Sequence, residues 1–103
     1  MMISNFEKGG DNGRAECDSK YHSNESLIVS LPTIYYQHGL RCNDDVTIFY
    51  NNIGVSAIVI DECDCPQDTF VASQAVWEAF KIPKSAWGEI EVSWGFSERL
   101  VSG

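Results

Sequence analysis

The stretch VTIFYNNIGVSAIVIDECDC, residues 46–65, holds two β-type apolar runs separated by a turn. Val, Ile and aromatic residues dominate VTIFY (46–50) and VSAIVI (55–60), and NNIG between them has the composition of a hairpin loop. The two runs are therefore expected to pair antiparallel. VSAIVI is mostly apolar, which predicts a strand buried on both faces. Directly behind it, DECDC places Asp61, Glu62 and Asp64 beside Cys63 and Cys65. This corner is read as the end of a central strand and a turn of the chain.

Toward the N-terminus, SLIVSL (26–31) is a short β-type run stopped by Pro32. Earlier still, KGGDNG brings Gly9, Gly10 and Asn12-Gly13 together, so a strand around Ile3 to Phe6 is expected to lead into loop. Toward the C-terminus, SQAVWEAFKI (73–82) spaces Val76, Trp77 and Phe80 at helical intervals, predicting a helix with Ser73 as N-cap and Pro83 as its stop. EIEVSW (89–94) alternates strictly, placing Ile90, Val92 and Trp94 on one buried face of a strand. Short strands with one main helix describe a small closed β-barrel, because a doubly wound sheet needs more helices.

A chain of 103 residues has room for one core, and residues 1–103 are read as a single domain. Fifteen acids against seven Lys and Arg leave a net charge of −8, which repels phosphate backbones and anionic lipid surfaces. Nucleic acid and membrane are therefore not expected partners. Acidic polymers are disfavoured too, unless Lys8, Arg14, Lys20, Arg41, Lys81, Lys84 and Arg99 gather on one face. No apolar run approaches the roughly 20 residues of a membrane-spanning helix.

Cys17, Cys42, Cys63 and Cys65 are an even set in a short chain, a count that favours disulfides in a secreted protein, with three pairings open. Asn24-Glu25-Ser26 is a glycosylation sequon and makes Asn24 a candidate acceptor, in agreement with secretion. MMISNFEKGG lacks the basic start and apolar stretch of a secretory signal. Either the signal was removed from this chain, or the thiols are free in a cytosolic protein.

Five segments carry a family resemblance in order: ISNFEKGGDNGRAECDSKYHSNESLIVSL, YYQHGLRC, VIDECD, ASQAVWEAFKIPKSAWGE and VSW, spanning residues 3–94. They resemble the kiwellin or ripening-related family of plant proteins, built on the double-psi β-barrel shared with barwin and expansins. The resemblance implies a mainly β fold, a small six-stranded double-psi β-barrel with one main α-helix. It departs at three places. Relatives carry a longer cysteine-bearing loop after DECD, whereas CPQDT alone joins Asp64 to Phe70 here. Pro32-Thr33 replaces a Ser-Thr pair, and Asn43 stands where a glycine follows RC.

The resemblance also implies a Cys17–Cys42 bridge. Closing a loop of about 25 residues stabilises by roughly 3.5 kcal/mol in the chain-entropy model. Cys63 and Cys65 are then left over, either free or bridged in a tight ring that is reduced more easily than an ordinary structural disulfide. A zinc site from these two with His22 or His38 would use soft ligands, but C-x-C alone is a weak pattern, and no metal or cofactor is expected.

Because relatives of this barrel include cell-wall glycosidases, the carboxylates matter. Such enzymes need two acids flanking the scissile bond. Asp61 supplies one at a strand end; where the second is expected, before the helix, stands Val71, with Asp68 displaced by three residues. The preferred reading of Asp61 is an acceptor of backbone N–H groups. Trp77 and Trp94 read as core. Tyr35 and Tyr36, in a loop IYYQHGL (34–40), are recognition candidates, although one tyrosine plugging the barrel end is the plainer reading. Tyr21 and Trp87 extend the aromatic set along a groove through Asp61, with His22, His38, Glu62 and Asp64 as further binding candidates.

The expected protein is non-catalytic, secreted to the apoplast and related to plant defence. The resemblance implies a protein partner such as a microbial effector enzyme of the chorismate mutase type. The alternative is an expansin-like module that binds cell-wall polysaccharide.

Overall fold

The computed structural model describes residues 1–97; Arg99 lies outside the described residues. Six strands make one sheet: β1 (Met2–Ile3), β2 (Ile28–Pro32), β3 (Asp45–Tyr50), β4 (Ile53–Cys63), β5 (Val71–Ala72) and β6 (Ser93–Phe96). Their order is β1-β5-β2-β4-β3-β6, with parallel pairs at β1·β5 and β2·β4 set among antiparallel ones. The segment before β6 returns to β1, through a Met2–Glu89 bridge and a hydrogen bond from Ile90 N–H to the Met1 carbonyl at 2.9 Å. The first and last strands are thereby brought together in a double-psi β-barrel. Two helices accompany them, α1 (Thr33–Tyr36) and α2 (Gln74–Ala79).

The hairpin forms as its composition predicts, but more tightly. Asn51 and Asn52 alone make the turn, at φ +51° and +65°, and Ile53 and Gly54 already pair with Tyr50 and Phe49. Two consecutive positive φ values match the twist of the flanking strands, and Asn tolerates them better than any residue except Gly.

Strand β4 is longer than VSAIVI, because IDEC continues the pairing with β2 as far as Cys63 opposite Pro32. Its first half alternates, with Val55, Ala57 and Val59 buried and Ser56 and Ile58 exposed, so burial on both faces does not extend along the run. The register slips between Val29 and Ser30 of β2, which leaves Ile60 unpaired in a bulge. A bulge adds one residue to a strand and breaks the inside-outside alternation. Val59 is buried in one core, while Ile60 and Asp61 after it are buried beneath the loop that precedes β2.

The bulge separates two cores. Val29, Leu31, Val46, Ile48, Val59, Phe70 and Trp77 form the main one, and Phe6, Ala15, Ile28, Ile60 and Val71 form a second under the N-terminal loop. Neighbouring residues of β2, β4 and β5 point into different cores, so the N-terminal loop covers the outer wall. Cys17 N–H donates to the Ile60 carbonyl at 3.0 Å, locking it there. Full burial of side chains of this size contributes roughly 1.5–3 kcal/mol each.

Helix α2 starts after Ser73 but stops at Ala79. Lys81, at φ +59°, turns the chain before Pro83 is reached. Ser73 occupies the N-cap position without capping. Its hydroxyl donates to the Ser26 carbonyl at 2.6 Å and accepts from Ile28 N–H at 3.4 Å, tying α2 to β2. Three further expectations change. The N-terminal strand is Met2–Ile3 rather than residues 3 to 6, and regular pairing near the C-terminus begins at Ser93 rather than Glu89. IYYQHGL is a short helix and a 3-10 turn rather than a loop.

Candidate functional site

The end of β4 and the N-terminal loop enclose an open cleft of about 350 Å³. Asp61, Glu62, Cys63 and Asp64 line it from one side, and Asn12, Arg14 and Glu16 line it from the other. Four carboxylates thus face one guanidinium. Glu62 and Asp64 belong to the DECDC motif. Asn12, Arg14 and Glu16 were missed as site residues, although they belong to the NGRAEC segment that carries part of the resemblance.

Asp61 is 3% exposed. Its Oδ1 accepts backbone N–H groups from Glu16 at 2.9 Å and Glu62 at 2.8 Å, and its Oδ2 accepts the Asn12 amide at 2.7 Å. Three donors fix the carboxylate in place and compensate its desolvation. It acts as a peg that holds the N-terminal loop to β4. Val71 is buried in β5, and Asp68 lines a different cleft of about 440 Å³ with Phe70, Glu89, Glu91 and Trp94. The position expected for a second catalytic acid therefore contributes nothing beside Asp61.

The aromatic candidates separate. Tyr36 is 7% exposed and its Oη lies 3.4 Å from Cys42 Sγ and 3.8 Å from Cys17 Sγ. Both sulfurs are bonded to each other, so the phenol O–H is the donor. Burial, and secondarily Glu16, Asp61 and Glu62, push the Tyr36 phenol above its ordinary pKa. Tyr35, 36% exposed, meets Trp94 edge to face at 5.2 Å. Trp94 is half-buried rather than core, packed also against Phe70 and Phe96. Trp77 is fully buried, its indole N–H donating to the Met2 carbonyl at 3.2 Å.

Tyr21 is exposed beneath Arg14 at 5.5 Å, at the edge of the acidic cleft. Trp87 is half-buried; its indole N–H donates to the Ile82 carbonyl at 3.0 Å and its ring lies 6.5 Å from Trp77. His22 pairs with Asp18 at 2.8 Å, and His38 is exposed at a kink with φ +54°. Tyr21, Tyr35, Tyr36 and Trp87 do not line the cleft that contains Asp61.

The four cysteines form two bridges, Cys17–Cys42 and Cys63–Cys65, with Cα separations of 5.7 and 5.2 Å. The first follows the pairing that the resemblance implies; the second resolves the open alternative in favour of a bond. Among the described residues, no three His, Cys, Asp or Glu side chains are grouped to hold a metal ion. Asn43 has φ +68°, a left-handed conformation that the glycine implied by the resemblance would adopt without a Cβ penalty. Asn24 is engaged in the fold: its Oδ1 accepts from Phe6 N–H at 2.9 Å and its Nδ2 donates to Asn5 at 2.8 Å.

Fold and site define a disulfide-tied double-psi β-barrel whose N-terminal loop is pegged to a central strand by a buried aspartate. The family model described as Kiwellin-1 matches residues 1–97. A ripening-related protein of Oryza sativa subsp. japonica is 38% identical over 109 residues, covering 91% of this chain and 57% of that relative. Ripening-related protein grip22 of Vitis vinifera is 37% identical, covering 94% of this chain and 51% of the relative. Kiwellin of Actinidia chinensis var. chinensis is 34% identical, covering 94% and 53%. The chain belongs to the kiwellin family. It spans about half the length of most of the curated relatives it matches, from 39% to 67% across those compared. Among solved structures, Streptomyces papain inhibitor shares the fold with a TM-score of 0.68 at 21% identity, over 93% of this chain and 90% of that one.

Proposed function

We propose that this chain is a non-catalytic, defence-related plant protein, secreted to the apoplast, that works by binding another protein. A microbial effector enzyme of the chorismate mutase type is the partner that the family resemblance suggests. The observation that carries this reading is the engagement of Asp61 by three N–H donors, with no acid at position 71. A glycosidase needs one carboxyl to give a proton and another to take one or attack. The two bridges support an oxidising compartment. A same-fold neighbour whose name describes an inhibitor of a protease supports, by analogy, a barrel that presents rigid rims to an enzyme.

Isothermal titration against a secreted fungal chorismate mutase tests the proposal, with a nanomolar to micromolar complex expected. Absence of binding to that enzyme at 100-fold higher concentrations, on the order of 100 μM, sinks the named partner. The second reading is a polysaccharide-binding module, favoured by the exposed rings of Tyr21 and Tyr35. Retention on insoluble cellulose or xylan that disappears in Tyr21→Ala and Tyr35→Ala would decide for it.

A further inference from the structure

Cys63 and Cys65 are bonded across a single intervening residue, at the point where β4 leaves the sheet. Cys63 is the last residue paired with β2, and its Sγ lies 3.6 Å from the Ser30 carbonyl oxygen. Cys65 sits beyond the ladder, between exposed Asp64 and exposed Pro66. Both cysteines are half-buried, and Cys63 and Asp64 line the acidic cleft. An external thiol can approach from that side.

The other bridge, whose cysteines are half-buried too, differs in its span and in what covers its sulfurs. Cys17–Cys42 closes a separation of 25 residues, and the buried Tyr36 phenol packs against both sulfurs. Bridging residues two apart forces a small ring through two planar peptide units, and it restricts the unfolded chain little. Bridges under such constraint have the more oxidising potentials.

We infer that Cys63–Cys65 is a thiol–disulfide exchange site, opened by a dithiol reductant under conditions that leave Cys17–Cys42 intact. A thiolate of the reductant attacks Sγ of Cys63, the cysteine of the pair that lines the cleft. The S–S bond breaks, and its electron pair leaves on Sγ of Cys65, which takes a proton. The reductant's second thiolate then attacks the mixed disulfide and releases Cys63, which is protonated in turn. Two electrons and two protons pass to the protein, and the reductant departs as its own disulfide. Because Cys63 stays in the β2·β4 ladder, the step frees the turn at residues 64–69 and keeps the barrel.

The test equilibrates the full chain with graded ratios of reduced to oxidised dithiothreitol, traps thiols with iodoacetamide and maps them by peptide mass. Cys63 and Cys65 are expected to reach half-labelling at a ratio at least tenfold lower than Cys17 and Cys42, with the near-ultraviolet circular dichroism unchanged. Coincident labelling, the reverse order, or free thiols at 63 and 65 in the unreduced protein overturns the inference. As a second measurement, the Cys63→Ser, Cys65→Ser double variant should fold like the parent. If it does not fold, the bridge is a structural necessity and the inference fails. None of these readouts depends on which partner the protein binds.

Discussion

Asn12 Nδ2 stands 2.7 Å from Asp61 Oδ2, although 49 residues separate the two in the chain. With the Glu16 N–H at 2.9 Å on the other carboxylate oxygen, this contact holds the N-terminal loop over the bulge in β4. The second core, around Phe6 and Ile60, lies beneath that loop. A polar contact and an apolar cluster therefore stabilise the same segment.

Asp61→Asn is expected to destabilise the fold by about 2–4 kcal/mol, because a neutral amide offers one oxygen where three N–H donors converged. Asn12→Ala removes a single donor and should cost about 1–2 kcal/mol. Urea unfolding reads both as a lowered midpoint at constant slope. Undiminished stability in Asp61→Asn would show that the carboxylate is not held for structural reasons.

The two bridges should contribute unequally. Replacing Cys17 and Cys42 by alanine is expected to cost about 3.5 kcal/mol, whereas replacing Cys63 and Cys65 should cost less than about 2 kcal/mol in the same loop-entropy treatment. Thermal unfolding of the two double variants compares them directly. Equal losses would contradict the assignment of the framework role to Cys17–Cys42.

Tyr36 sets an alkaline limit. Its phenol is held above the ordinary value of 10.0 by burial first and by Glu16, Asp61 and Glu62 after that. The unfolded chain therefore releases this proton at lower pH than the native one. The associated stability is fully present below about pH 10 and is lost as pH rises from there through the folded-state value. Tyr36→Phe should flatten that decline, measured as the unfolding midpoint between about pH 9 and 11. A parallel decline in both proteins would assign it to other groups.

The β3–β4 turn can be improved. Asn52 holds φ +65° next to Asn51 at +51°, and glycine meets this geometry without a Cβ penalty. Asn52→Gly is expected to raise stability by about 0.5 kcal/mol, whereas Asn52→Val should lower it by about 1–2 kcal/mol. The midpoints of thermal unfolding check both signs.

Local sequence determined what short-range chemistry controls. The hairpin was readable because two β-branched runs flank a pair of residues that tolerate positive φ. The start of α2, the buried Trp77 and the inward face of Ile90 and Val92 followed from periodicity. The resemblance carried the barrel and the Cys17–Cys42 pairing. Tertiary structure decided the rest. The bulge at Ile60 depends on a register with β2, some 30 residues away in sequence, and Val59, Ile60 and Asp61 are buried in a row only because the N-terminal loop covers the outer wall there. Ser73 has the right type and position for a cap, yet it bonds to β2, because a partner from another segment competes for its hydroxyl. Asn12, Arg14 and Glu16 have no pattern that marks a cleft; they meet Asp61 only once the loop folds back across the barrel wall. Periodicity reports which face of an element is apolar. Which distant groups share an oxygen is settled by the closing of the chain.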